Sequence, residues 1–221
     1  MGCSMTPRLT PLQSELLHAF FARTQALFLT GGGVLVGFEF GHRTTDDLDL
    51  FGFPEVDLDE AERVLADAAG AVGATSENLS RHSDFRRWLT VRGEERCVVD
   101  LVRDRAPAIE KQKRHLGTLV LDTRREIAAN KVAALVGRSE PRDLVDLKFL
   151  LDAGEPLERA MTDAMSKDAG VDAATVAWAL ESLRIGPTAH LPGGADPIAL
   201  EAFRKALVAR LRTLAHGSTS K

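Results

Sequence analysis

The sequence predicts an α+β protein, with an N-terminal part over residues 1–122 that mixes strands and helices and an all-helical C-terminal part over 123–221. Three observations carry this expectation. Before residue 122 the apolar runs are short and β-rich (ALFLT, DLDLF, FRRWLTV, RCVVDLV) and break at glycines or charged turns. After Thr123, apolar residues recur at helical spacing through REIAANKVAALVGR, RDLVDLKFLLDAG, a segment through Met165, VDAATVAWALESLR and PIALEAFRKALVARLRTLA. The stretch PTAHLPGGADP between the last two is rich in proline and glycine, so it reads as a loop.

In chain order, Leu12, Leu16, Phe20 and Phe21 mark one face of a helix over 11–24. ALFLTGGG reads as a strand that enters a tight turn, and VLVGFEFGH as a helix ending near Gly41. DLDLFGF alternates as a strand does, and Asp57 to Ala69 is amphipathic, with Leu58, Ala61, Leu65 and Ala68 on one side. Phe85–Val91 and Arg96–Val102 flank RGEE as the arms of a hairpin, and GTLVLD adds a strand. The sequence carries no internal repeat and no low-complexity tract.

Composition narrows the function classes. Hydrophobic residues make up 44% of 221, enough for a globular core. With 28 Lys+Arg against 32 Asp+Glu, the net charge is −4, which argues against a protein that coats nucleic acid but leaves room for a local basic patch. Cys3 and Cys97 lack metal-ligand spacing and read as reduced thiols. No apolar run reaches membrane-spanning length, and MGCSMTPRLT lacks the apolar stretch of a signal peptide. Gly2–Cys3 hints at lipidation in a poor context, HGSTSK reads as a frayed tail, and the expected location is the cytoplasm.

The carboxylates are the most informative residues. In HRTTDDLDLF, strand alternation puts Asp47 and Asp49 on one face and Leu48 and Leu50 on the other, toward the core. Two adjacent carboxylates repel, which is tolerated when both face water, as at a solvated strand end, or when a cation sits between them. Hard oxygen donors of this kind suit Mg²⁺. In RCVVDLVRD, Asp100 shares a face with Val98 and Val102, and an acid there is costly unless it is paired. One reading is a salt bridge to a nearby arginine. The other completes a three-carboxylate site that holds two Mg²⁺ ions, and it requires convergence within roughly 4–5 Å.

Thr30-Gly31-Gly32-Gly33 falls between a strand and a helix, where backbone N–H groups approach phosphate oxygens closely, although a simple tight turn explains it as well. No Gly-Lys-Ser/Thr follows, so it is not a P-loop. Lys131 interrupts the stripe Ile127, Lys131, Leu135, either as a snorkelling side chain or as a phosphate ligand. Arg142, Asp143 and Asp146 lie close together on the helix that begins at Pro141, a pattern that a surface ion pair would also produce.

Taken in order, LTGGGVLVGFEFGHRTTDDLDLF, VVDLV and EIAANKVAALVGRSEPRDLVDLKFLL resemble the AbiEii/AbiGii-type nucleotidyltransferases, the toxin halves of bacterial abortive-infection and toxin–antitoxin systems. Members carry a Gly-Gly turn, then Arg-x-Ser/Thr-x-Asp-x-Asp, a lysine on a later helix and an Arg-Asp-x-x-Asp-Leu helix. Those motifs fall on Gly31 and Gly32, on Arg43, Thr45, Asp47 and Asp49, on Lys131, and on Arg142, Asp143 and Asp146. Gly33 stands where the family carries a hydroxyl residue such as threonine, and nothing from Asp152 onward carries over.

The resemblance implies a polymerase-β-like nucleotidyltransferase core, a mixed sheet with flanking helices, followed by a helical region. It also implies transfer of a nucleoside monophosphate from a triphosphate with release of pyrophosphate. Asp47, Asp49 and Asp100 would hold the metal, with Thr30, Gly31, Gly32 and Gly33 around the phosphates. Thr45 belongs to the nucleotide-binding set, and Arg43, Lys131 and Arg142 would offset charge. Asp143 and Asp146 would orient Lys131 or Arg142, or contact the base. The acceptor implied is the 3′ end of tRNA, and a cognate antitoxin is the implied partner. Antibiotic nucleotidyltransferases of the aminoglycoside type share the fold and are the alternative, as is a nucleotide-binding module without catalysis. Arg81, Arg86, Arg87, Arg92, Arg96, Lys111, Lys113 and Arg114 favour a nucleic-acid acceptor if they form a stripe, although they also suit solvated faces.

Overall fold

The computed structural model describes residues 8–218. Cys3, the Gly2–Cys3 hint and the last three residues of the HGSTSK tail lie outside the described residues. The chain forms two compact units. One runs to Arg105 and includes Gln112–Thr123, and the other comprises Ala106–Lys111 together with the chain from Arg124 onward.

The first unit is built on a seven-stranded mixed sheet in the order β3-β4-β5-β2-β1-β7-β6. Helix α1 (Pro11–Phe21) opens with a capping box between Thr10 and Gln13, with proline in its first turn, where a missing N–H costs nothing. Strand β1 (Phe28–Thr30) is buried throughout and leads into a short helix, α2 (Gly31–Val34). The helix expected to reach Gly41 instead widens into a π turn over Leu35–Glu39, closed by the Phe40 N–H donating to the Leu35 carbonyl at 2.7 Å.

Strand β2 (Asp47–Gly52) alternates half-buried and buried residues, with Leu48 and Leu50 in the core. Helix α3 (Leu58–Ala71) is capped by Asp57, whose carboxylate accepts from the N–H groups of Asp59 and Glu60. Strands β3 (Thr75–His82), β4 (Phe85–Arg92) and β5 (Glu95–Arg103) form an antiparallel meander, and β5 then lies parallel to β2. A second hairpin, β6 (Arg114–Leu116) and β7 (Leu119–Leu121), joins β1 through β7. The expected hairpin around RGEE and the strand in GTLVLD are both present. The sequence reading missed β3, because TSENLSRH is polar and sits exposed at the sheet edge, where no apolar face imposes a period of two.

The second unit is helical: α4 (Arg124–Gly137), α5 (Pro141–Asp152), α6 (Leu157–Lys167), α7 (Ala173–Ser182) and α8 (Pro197–Ser218). The loop before α8 contains a single 3₁₀ turn at Pro192–Gly194. Residues 106–111 join this unit because Glu126 of α4 accepts from the backbone N–H groups of Ile109 at 3.0 Å and Glu110 at 2.9 Å. The other oxygen of Glu126 pairs with Lys167 of α6, so one buried carboxylate ties three segments. Among the described residues, no helix is long and apolar enough to cross a membrane.

The cap of α3 gives a direct test of this local reading. Asp57→Ala leaves two N–H groups of the first turn without their acceptor and is expected to cost about 1 kcal/mol, while Asp57→Asn retains most of the stability. Urea unfolding of the three proteins measures both changes, and equal midpoints for Ala and wild type would remove the cap from the account.

Candidate active site

Strand register assembles the site. Asp49 of β2 is paired with Asp100 of β5 on one side and with Thr30 of β1 on the other, and Asp100 is paired in turn with Arg87 of β4. Directly opposed residues on neighbouring strands point to the same face, with Cβ atoms about 4.5–5.5 Å apart. Arg87, Asp100, Asp49 and Thr30 therefore form one row across four strands, and Asp47 shares the face one pleat away. The opposite face carries Leu48, Leu50, Val99 and Leu101, each no more than 1% exposed.

The carboxylates share this face, but their oxygens turn to different partners. Asp100, 4% exposed, receives both arms of Arg87, Nε to Oδ1 at 2.8 Å and Nη2 to Oδ2 at 2.6 Å. Asp47 accepts from the Thr45 hydroxyl at 2.6 Å. Asp49 turns toward the glycine turn, so that a Cβ built on Gly31 would lie 2.7 Å from its Oδ2. Among the described residues, no group of three or more His, Cys, Asp or Glu side chains is gathered to hold a metal as it stands. Asp100 thus carries a salt bridge to an arginine, and Asp47 is held by its neighbouring hydroxyl.

The glycine turn is shaped by close approach. Gly31 has φ +60°, a conformation that side chains resist, and its lack of Cβ admits the Asp49 carboxylate. At Gly32 a Cβ would meet Arg43 Nη2 at 2.7 Å, so the buried guanidinium lies directly beneath the turn. At Gly33 it would strike the Leu29 side chain at 2.9 Å, a packing reason for glycine at that position. Thr30 does not offer its hydroxyl to this space. It donates to Asp122 Oδ2 at 2.6 Å, while Lys113 donates to Asp122 Oδ1 at 2.7 Å from a position over the Phe28 ring. Asp122, 1% exposed, thus anchors the end of β1. Behind the row, Gln13 of α1 donates to the Thr45 carbonyl at 2.8 Å.

The basic residues between Arg81 and Arg114 are largely engaged within the chain. Arg81 and Arg86 both pair with Asp59 and Glu62 of α3, and Arg86 is only 8% exposed. Arg92 binds Glu15 and Glu95, Arg114 binds Glu39, and Lys113 is buried on Asp122. Arg96 and Lys111 are exposed. Cys97 is fully buried, and desolvation pushes its thiol up to about 12, so it stays protonated and inert at neutral pH.

Within the helical unit, Lys131 neither snorkels nor reaches for solvent. Its ammonium, on a residue 6% exposed, lies 2.9 Å from Asp143 Oδ1 and 2.7 Å from Asp146 Oδ2, and both aspartates are fully buried. Arg138 adds a two-armed contact to Asp143 at 2.7 and 2.8 Å. Burial pushes the Asp143 carboxyl up, but the hydrogen bonds from Arg138 and the charge of Lys131 outweigh it and hold the group below its ordinary value. Arg142 lies 2.5 Å from Glu140 and is partly exposed.

Sequence reasoning gave no role to Asp122, Gln13 or Arg138, and counted Arg87 among the basic residues that favour a nucleic-acid acceptor. A usable signal existed for Arg87. A two-residue turn at Gly93 and Glu94 pairs Arg92 with Glu95, and counting equally back along both strands sets Arg87 opposite Asp100.

Residues 15–217 match the family described as nucleotidyl transferase AbiEii toxin, type IV TA system. No curated protein matches the chain in sequence. Among solved structures, the chain is similar to JHP933 from Helicobacter pylori, with TM-score 0.56, 16% identity, and 95% of this chain and 94% of that one covered. A putative nucleotidyltransferase from H. pylori gives 0.56 and 16%, with 92% and 94% covered. MenT4, a nucleotidyltransferase toxin from Mycobacterium tuberculosis H37Rv, gives 0.55 and 19%, with 90% and 81% covered. At these identities the likeness establishes the nucleotidyltransferase fold, a mixed sheet with flanking helices.

The Lys131 cluster generates a stability prediction with a defined pH dependence. Lys131→Met leaves two buried carboxylates without their shared cation and is expected to cost about 3–5 kcal/mol at pH 7. Asp143 titrates lower in the folded chain than its ordinary 3.8, so its contribution is present above that pH and is lost as pH falls through the lowered folded value. The gap between wild type and Lys131→Met should therefore narrow in acid, and unfolding curves at pH 7 and near pH 3 read it.

Proposed function

The chain belongs to the AbiEii family of nucleotidyltransferase toxins, and from that premise we propose that it transfers a nucleoside monophosphate from a nucleoside triphosphate to an acceptor hydroxyl, releasing pyrophosphate. The observation that carries this reading is the row in which Asp49, flanked by Asp100 and Thr30, turns its carboxylate against Gly31. A triphosphate laid on the glycine turn would meet backbone N–H groups from above and the Arg43 guanidinium from beneath, while the acids line the neighbouring strand.

The donor set fits magnesium. Asp47 and Asp49 are hard oxygen donors on a half-exposed face, and Asp100, next in register, already answers to a cation in the form of Arg87. Asp47, Asp49 and Asp100 would hold the metal, as one ion or two. Held there, magnesium would supply positive charge to offset the negative charge that develops on the phosphates during transfer. The chain's own part is to orient. Thr45 fixes Asp47, the Gly31 backbone admits Asp49, and Asp122 with Lys113 holds the strand end from which the turn springs.

For the acceptor we propose RNA, the tRNA 3′ end in particular, acting in the cytoplasm and countered by a cognate antitoxin. The support is membership of a toxin–antitoxin family together with the motif resemblance, and not the arginines of the β3–β5 meander. Incubation with each labelled NTP and total cell RNA should label a tRNA band in the presence of Mg²⁺. Label on an aminoglycoside, with none on RNA, would instead select the antibiotic-modifying alternative.

Asp49→Asn is expected to reduce transfer by about 10²-fold or more, since preorganised charge at the reacting phosphates is lost. Its melting transition should stay within about 0.5 kcal/mol of wild type, as for a substitution outside the packed core. Undiminished transfer by this variant would refute the acidic row as the reaction site.

A further inference from the structure

Asp100 and Arg87 are unequal partners. The side chain of Asp100 is 6% exposed and that of Arg87 is 45% exposed, so the guanidinium lies over the carboxylate like a cover. Both oxygens of Asp100 are engaged, at 2.8 and 2.6 Å. Arg87 also lies against the Phe85 ring, 5.4 Å from its centroid. Its guanidinium is held above its ordinary range, chiefly by the hydrogen bonds to Asp100 and further by the charges of Asp100, Asp47 and Asp49, against an opposing push from burial.

The asymmetry decides which partner moves. A carboxylate this buried is costly to leave without a counter-charge. A half-exposed arginine swings into water at little cost, because its head is easily hydrated and its stem stays on the surface. The face therefore accommodates an exchange of cations at Asp100 but not a vacancy.

We propose that Arg87 is the resident counter-cation of Asp100, displaced when a divalent cation binds the acidic row, so that Arg87 sets how readily the third carboxylate joins the metal site. This rests on the magnesium reading given above. The exchange is stoichiometric in charge sites: one guanidinium leaves the Asp100 oxygens as the metal ion takes them, and no proton is transferred. A released Arg87 remains tethered at the edge of the same face. The same pair keeps the acids compatible with a folded sheet before any cation arrives.

The test is calorimetric titration of the full chain with Mg²⁺, and with Mn²⁺ as a second probe, without nucleotide. Arg87→Gln should bind the cation about tenfold tighter than wild type, the factor that corresponds to about 1.4 kcal/mol. Without cation it should melt lower than wild type, and it should gain more on Mg²⁺ addition, because the metal then supplies the missing charge. Arg96→Gln removes the same charge from an exposed position on β5 and controls for a general change of potential. Equal tightening in Arg96→Gln would reduce the effect to net charge and overturn the proposal. So would unchanged affinity in Arg87→Gln while Asp49→Asn abolishes binding. If neither wild type nor any variant binds either cation, the magnesium reading falls and this proposal falls with it. A separate readout is the Arg87 Nε–H resonance, which should shift on Mg²⁺ addition to wild type and stay fixed in Asp49→Asn.

Discussion

Strands β2 and β5 lie parallel in a register that sets Asp49 against Asp100, Leu48 against Val99 and Leu50 against Leu101. The rest of the site depends on that alignment. Side chains alternate with a period of two, so a slip of one residue would move Asp100 to the face of Leu48 and Leu50 and strand a carboxylate in the core. The acids do not hold the register themselves. At an effective dielectric of about 20, two unit charges about 5 Å apart repel by about 3 kcal/mol. Burying a leucine or valine side chain is worth about 1.5–3 kcal/mol, and four such residues sit beneath the acids, so the apolar face outweighs the repulsion several-fold. The core on one side of the sheet is what keeps the like charges together on the other.

The same economy runs through the chain's other buried charges. Lys113 on Asp122, Lys131 between Asp143 and Asp146, and Lys167 on Glu126 each have both partners almost wholly out of water. Such pairs hold geometry because neither member has anywhere else to go. Asp122 pins Thr30 and with it the start of the glycine turn, and Glu126 pins residues 109 and 110 to the helical unit. Arg87 on Asp100 differs from these in having one partner at the surface, as do Arg114 on Glu39 and Arg138 on Asp143. Burial therefore separates charge pairs enclosed on both sides from pairs with one partner in water.

Much of the local structure was legible. Alternation in DLDLF separated the acids from the leucines, and RGEE marked the hairpin. What escaped notice has identifiable causes. Strand β3 carries no apolar alternation because it is an exposed edge, paired on one side only. The arginines of the meander read as a stripe because counting basic residues ignores the acids that face them from elsewhere, Asp59 and Glu62 on α3 and Glu15 on α1. The glycines beside Thr30 place it around the phosphates but say nothing of a distant side-chain partner. Asp122, to which its hydroxyl donates, lies 92 positions away in the chain.

By itself, the sequence determined which residues alternate, which face of each strand is apolar, where the chain turns and which family its motifs match, because these depend on neighbours a few residues apart. Only the tertiary structure decided which cation answers which carboxylate. Arg87 stands on Asp100, Lys131 is enclosed by Asp143 and Asp146, and the hydroxyl of Thr30 donates to Asp122. The physical reason is that electrostatic pairing is set by distance in space and by burial. Residues far apart in sequence meet only after the apolar faces have packed, and the apolar pattern is indifferent to which charges it brings together.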